Sequence, residues 1–402
     1  SGHPLAFTLG GMAVLAAATI WGNPAALNLF MRTTTSIGTN IVYTSIPLFI
    51  FMGAMLERSG AANDLFDSMY IIFGPLRGGI AITTVVICTL LAAASGIIGA
   101  SITLMTILAL PAMNKCGYDM SLATGTIMAA GCLGTLIPPS IILVIYGAQA
   151  QLSIGKLFAG GMGAGLLLSA LYLIYILWNI ILRPEKVPAI DPSEAAKYSS
   201  GQKWLMFLKS VMPTSILILL VLGTILVGAA TPTEAAALGS VGAMCVAIYN
   251  KQLNWKVMYQ CCQLTMKTTA MIMFIILGAS MFTSVFLGLG GNKVISGLVN
   301  DLQVSRWIVM FIILFILFIM GMFIDCYGML LIGIPIFTPI IATLGFDPLW
   351  FGIMFAVMIQ ISNLSPPFAY ATFYVKGVAA QQRIPIPISE LYWSSIPFMI
   401  MQ

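Results

Sequence analysis

The chain has 402 residues, 60% of them hydrophobic and 7% charged, and a mean hydropathy of +1.03. That composition excludes an ordinary soluble domain and marks an integral membrane protein. The net charge of +5 is small and scattered, which argues against a nucleic-acid surface, and the single histidine, His3, leaves no His-based triad, zinc site or haem ligation within the membrane.

In chain order, apolar spans are expected at 4–21, 40–56, 78–94, 119–134, 157–182, 207–229, 232–249, 269–289, 307–324 and 348–363. A span needs roughly 20 residues to cross about 30 Å of hydrocarbon. The runs are long and continuously apolar, so they read as helices rather than barrel strands. The opening run "PLAFTLGGMAVLAAATIW" lacks a basic region before it and reaches spanning length, so it is expected to be a first helix and not a cleavable signal. Pieces at 102–114, 139–151, 329–343 and 366–380 are about half as long, the pattern of re-entrant hairpins and discontinuous helices. The seven cysteines show no CxxC pairing and mostly lie in apolar runs, where a thiol packs as a small hydrophobe.

A polar stretch, "RPEKVPAIDPSEAAKYSSGQK" (183–203), divides a first half (1–182) from a second (204–402) and reads as a linker. The basic segment "NKQLNWK" follows two spans later, whereas the intervening turn "GAATPTE" has no Lys or Arg, so the linker side is cytoplasmic. In that turn Thr231 and Glu234 match a capping box, which accounts for Glu234 better than a membrane carboxylate does. Arg32, in "FMRTTTSIGTN", reads as a membrane-boundary residue before an anion contact.

The two halves repeat. Pro111, Gly117 and Asp119 align with Pro339, Gly345 and Asp347 at an offset of 228, and the same offset carries Leu136, Pro138, Pro139 and Tyr146 onto Leu364, Pro366, Pro367 and Tyr374. An odd number of spans between equivalent segments favours inverted topology. A proline pair within an apolar run frees carbonyls from the helix, and in inverted-repeat transporters such breaks meet near the midplane, where helix N-termini face anions and carbonyls coordinate sodium. Each half also has a second break, "AASGIIGAS" (93–101) and "GMFIDCYGM" (321–329). The latter holds Asp325, whose depth suggests ion or substrate binding and whose position suits an N-cap; the two roles are compatible.

In this order "SGIIGAS", "GTLIPPSI", "SIGKLFAGG", "TPTEAAA" and "PPFAY" resemble the large membrane subunit of tripartite ATP-independent periplasmic (TRAP) transporters over nearly the whole chain, although many relatives have a more serine-rich first tip. The resemblance implies an all-α, inverted-repeat elevator transporter with two re-entrant hairpins and two discontinuous helices in a bacterial inner membrane. It implies sodium-coupled import of a small organic anion, a carboxylate or sulfonate, with a small four-helix membrane subunit and a periplasmic substrate-binding protein as partners. About two sodium ions are implied, one held by carbonyls around Ser95, Gly96, Gly134, Ile137 and Pro138, the other near Gly328, Asn363, Leu364 and Pro366. Ser101, Asp325 and Thr372 are expected near the substrate. A stand-alone sodium/organic-anion symporter is the alternative, followed by an ion channel. An intramembrane enzyme lacks the necessary nucleophile and base, or clustered carboxylates.

Overall fold

The computed structural model describes residues 5–95, 98–190, 198–291, 297 and 304–402, and every regular element among them is helical. The first half contains α1 (Leu5–Trp21), α2 (Asn23–Thr39), α3 (Ser45–Arg58) and α4 (Ala61–Phe73). A hairpin follows, of α5 (Gly79–Ser95) and α6 (Ile98–Cys116), then α7 (Met120–Gly131), a 3-10 turn (Cys132–Thr135), α8 (Ile141–Ala150) and the long α9 (Ile154–Leu182). The second half contains α10 (Ser200–Leu226), α11 (Pro232–Tyr249) and α12 (Trp255–Gly288). It continues with α13 (Arg306–Phe323), α14 (Cys326–Thr343), α15 (Pro348–Leu364), α16 (Tyr370–Gln381) and α17 (Ile388–Met401). Among the described residues, seven helices are long and apolar enough to cross a membrane.

Several elements differ from the sequence expectation. No span is expected over 23–39, yet α2 forms: Gly22 turns the chain at φ 90°, Pro24 occupies the first helical turn, and the Thr34 and Thr39 hydroxyls donate to the carbonyls of Phe30 and Thr35. Threonines satisfied on their own helix need no polar surroundings. The second hairpin arms exceed half length, since α6 has 19 residues and α14 has 18, with Pro111, Pro335 and Pro339 inside them. Their first turns, "IGAS" and "CYGM", read as loop by composition but continue the helix.

Equivalent turns in the two halves are built alike. Gly117 and Gly345 adopt φ 81° and 76°, a region open to glycine. Asp119 and Asp347 then cap α7 and α15, their Oδ1 atoms accepting from the Leu122 and Leu349 amides at 3.0 and 2.8 Å. Each aligned proline pair interrupts a helix, α7 to α8 and α15 to α16.

The linker is anchored at its start. The Lys186 carbonyl accepts from the Asp119 amide and the Val187 carbonyl from the Gly78 amide, both at 3.0 Å, while Val187 and Ile190 are buried. Both ends of the first hairpin therefore meet at two adjacent linker residues. The ends of the second hairpin also meet, through the rings of Trp307 and Phe346, 4.9 Å apart. They lie beside the last turns of α8, where the Tyr146 hydroxyl donates to the Pro348 carbonyl at 2.9 Å.

Glycines set the closest helix contacts. On α9, a Cβ at Gly161 would lie 2.6 Å from the Leu136 carbonyl oxygen, and one at Gly165 would clash with Ile137. The "KLFAGG" helix thus lies directly on the first break. On the other side, Gly278 of α12 meets the Ala6 carbonyl of α1, and Gly239 of α11 meets Met52 of α3. The hairpins and broken helices form one packed group with α9 and α17, and α1, α3, α11 and α12 form another.

Candidate functional site

The hairpins and the breaks converge on one cavity of about 830 Å³. Ile98, Gly99, Ala100 and Thr103 line it from the first hairpin, and Asp325, Cys326 and Tyr327 from the second. Thr135 and Ile142 flank the first break; Asn363, Phe368, Tyr370 and Tyr374 flank the second. The far wall comes from the other helix group: Leu5–Phe7 of α1, Glu57 and Arg58 of α3, and Thr268 to Ile275 of α12.

The wall carries few polar groups. Asp325 caps α14, its Oδ2 accepting from the amides of Tyr327 and Gly328 at 3.2 and 3.4 Å. The cap foreseen from sequence is thus present, with the carboxylate on the cavity. The Tyr370 and Tyr374 hydroxyls bond to each other at 2.8 Å. Two lining residues hold buried donors with no partner among the described residues, Arg58 Nη1 and Asn363 Nδ2. A buried donor without an acceptor costs free energy until one arrives.

The remaining expected residues are placed as follows. Ser101 is buried against α3, in a small space shared with Gly53, Leu56 and Glu57, while its neighbours on α6 line the large cavity. Thr372 is fully buried and donates to Met128 Sδ at 3.5 Å, on α7. Gly134 and Ile137 are buried in the first break, where both Pro138 and Pro139 are buried as well. At the second break Pro366 is half-buried and Pro367 exposed. The Leu364 carbonyl accepts from Ser395 Oγ at 3.3 Å. Gly328 sits in the first turn of α14, where a Cβ would strike Leu5 of α1. Ser95 is the last residue of α5, and Gly96 lies outside the described residues.

Sequence reasoning missed the contribution of α3. Glu57 and Arg58 follow an apolar run directly, the usual sign of a membrane boundary, and only the convergence of α3 with both hairpin tips puts them on the cavity. The repeat also hides an asymmetry. Tyr146 and Tyr374 align, yet Tyr146 is fully buried against Gly352 whereas Tyr374 lines the cavity.

Comparison with known proteins agrees with this architecture. Residues 1–402 match the family described as tripartite ATP-independent periplasmic transporter, DctM component. The chain is 33% identical over 362 residues to the C4-dicarboxylate TRAP transporter large permease protein DctM of Pseudomonas aeruginosa, covering 89% of this chain and 81% of the relative. It is 31% identical to the isethionate TRAP transporter permease protein DctMQ of Oleidesulfovibrio alaskensis, over 94% of this chain and 58% of that one. Its fold is similar to the crystal structure of the Alcanivorax borkumensis YdaH transporter, described as of unusual topology, with a TM-score of 0.63 at 15% identity, over 99% of this chain and 94% of that chain.

Proposed function

The chain belongs to the DctM component of the tripartite ATP-independent periplasmic transporters, a family of multi-pass membrane permeases and not enzymes, and from that premise we propose that it imports a small organic anion coupled to sodium. The observation that carries the anion is the cavity where hairpins and breaks converge, with Arg58 and Asn363, each holding an unpartnered buried donor, among its lining residues. A carboxylate or sulfonate supplies several acceptor oxygens at once, suited to a guanidinium and an amide donor. Two of the relatives are named for solutes of these two classes, C4-dicarboxylates and isethionate.

Sodium enters as a co-transported substrate. Carbonyls released by the proline pairs are hard oxygen ligands, suited to a small cation and costly when left bare in a buried place. The first site uses the carbonyls of Gly134, Ile137 and Pro138 with the tip at Ser95 and Gly96, and the second uses Asn363, Leu364 and Pro366 with Gly328. Asp325 supplies a nearby negative charge.

The halves 1–182 and 204–402, joined by 183–203, act as inverted repeats. The meeting of the first hairpin's ends at the linker and of the second hairpin's ends beside the last turns of α8 supports this reading. The hairpins, broken helices, α9 and α17 then move as an elevator against α1, α3, α11 and α12. A small four-helix membrane subunit and a periplasmic binding protein complete the system. The test is uptake of succinate and of isethionate into proteoliposomes holding all three components, with sodium exchanged for potassium or choline at fixed pH and membrane potential. Uptake should rise with sodium with a Hill coefficient above one; undiminished uptake without sodium would remove the coupling.

A further inference from the structure

A second cavity, of about 840 Å³, lies between α2, the end of α8 and α12. Asn28, Arg32, Ser36, Asn40, Ser280 and Ser284 are among its lining residues, and no acidic side chain among the described residues lines it. The groove is open, with Asn28, Arg32, Ser36 and Ser284 exposed, and a polar lining with one cation and no carboxylate favours an anion over a cation.

Its side of the membrane follows from the ends of α3. The Thr233 hydroxyl donates to the Ile41 carbonyl at 3.3 Å, so the residues just before α3 lie beside the turn that has no Lys or Arg. At the other end of α3, Asn250 Nδ2 donates to the Ser59 carbonyl at 3.0 Å, beside Lys251 and Lys256. The positive-inside rule makes the latter end cytoplasmic. The second cavity, which includes Asn40 and Tyr43, therefore faces the periplasm.

It also adjoins the central cavity. On α8, Ile142 lines the central cavity and Gln149 the second, a separation of about 10 Å along the helix axis. On α12, Ile275 and Ser280 divide in the same way. Gln149 Nε2 stands between them, donating to Tyr43 Oη at 3.0 Å and Ser280 Oγ at 3.4 Å.

We propose that this cavity is a periplasmic loading site for the transported organic anion, with Arg32 as its cationic contact, placed one step before the central site. In this proposal Arg32, expected from sequence to mark a membrane boundary, also contacts the anion. The proposal rests on the anion-import reading above and adds a second site to it.

The test uses the complex of chain, small subunit and binding protein in proteoliposomes, with succinate and isethionate as probes. Ser284→Cys places a thiol at an exposed position on the cavity. Its modification by a membrane-impermeant sulfonated thiosulfonate, followed by mass spectrometry of its own peptide, reports occupancy of the site apart from uptake. Either probe should slow labelling about tenfold, and Arg32→Gln should abolish that protection and raise the half-saturating probe concentration about tenfold, the effect of one lost charge-assisted contact. Arg32→Lys should retain part of the protection. If Arg32→Gln does not fold, the protection measured with Arg32 in place decides. Sodium-driven uptake with no protection at Ser284→Cys would overturn the loading site and leave the central reading intact. Absence of uptake of both probes would overturn the anion-import reading, and the loading site with it.

Discussion

Under the proposed function, Arg58 and Asn363 are the residues on which recognition in the central cavity turns. Their free donors predict that Arg58→Gln and Asn363→Ala each raise the half-saturating anion concentration in uptake assays, about tenfold for the charged donor and severalfold for the amide. Sodium dependence should change less, since Arg58 belongs to neither proposed sodium site and Asn363 belongs to the second only through its main-chain carbonyl. Unchanged half-saturation in both variants would show that the donors serve packing alone. Outside the helices, Asp119 pairs with Lys186 Nζ at 2.8 Å. Burial raises its pKa, but the Lys186 hydrogen bond and charge, with the amides of Leu122 and Ser121, outweigh burial and hold the carboxyl below its ordinary value. A depressed carboxyl contributes stability that is present above its unfolded pKa and lost as pH falls through the folded one. Thermal unfolding in detergent should therefore show an acid loss below about pH 4 that Asp119→Asn reduces, by about 0.2–1 kcal/mol for a partly exposed pair.

At the scale of elements, the contact between α9 and the first break depends on the absence of a side chain at Gly161. A Cβ there would press on the Leu136 carbonyl oxygen and on Leu143 of α8. Gly161→Val should cost about 1–3 kcal/mol by overpacking and, by shifting the break itself, weaken sodium dependence. A Cβ at Gly163 of the same helix would meet no atom within 4 Å, so Gly163→Ala is the control and should leave both unfolding temperature and uptake close to those of the parent. Equal behaviour of Gly161→Val and Gly163→Ala would dissociate α9 from the site.

For the whole molecule, the two packed groups define which crosslinks matter. Thr89 of α5 and Ser169 of α9 bond through their hydroxyls at 2.7 Å within one group. Gln149 and Ser280 join different groups. Under the elevator reading, a disulfide replacing the Thr89 and Ser169 pair should leave uptake intact, whereas one replacing Gln149 and Ser280 should stop it until reduced. Arrest by the first and not by the second would contradict the division. The exposed apolar residues of α10, among them Leu208, Met212, Ile216 and Leu219, are a face for lipid or for the small subunit, and uptake by the chain alone should be negligible.

Sequence by itself established the membrane class, the proline breaks and the cap roles of Glu234 and Asp325, because these depend on local chemistry. Hydropathy accumulates residue by residue, a proline pair cannot continue a helix, and a Thr-x-x-Glu or Asp at a helix start meets partners within three residues, as Thr231 and Glu234 do at 2.7–3.3 Å. Helices such as α2, whose threonines satisfy themselves, escape a reading based on hydropathy. The composition of the cavity was decided only by tertiary structure. Ser101 and Thr372 are polar residues in the expected segments, yet the rotation of their helices turns them onto α3 and α7. Glu57, Arg58 and Arg32 enter cavities because α3 and α2 pack beside segments far away in the chain. Which face a helix presents, and to what, depends on contacts between residues hundreds of positions apart, for which a single sequence carries no local signal.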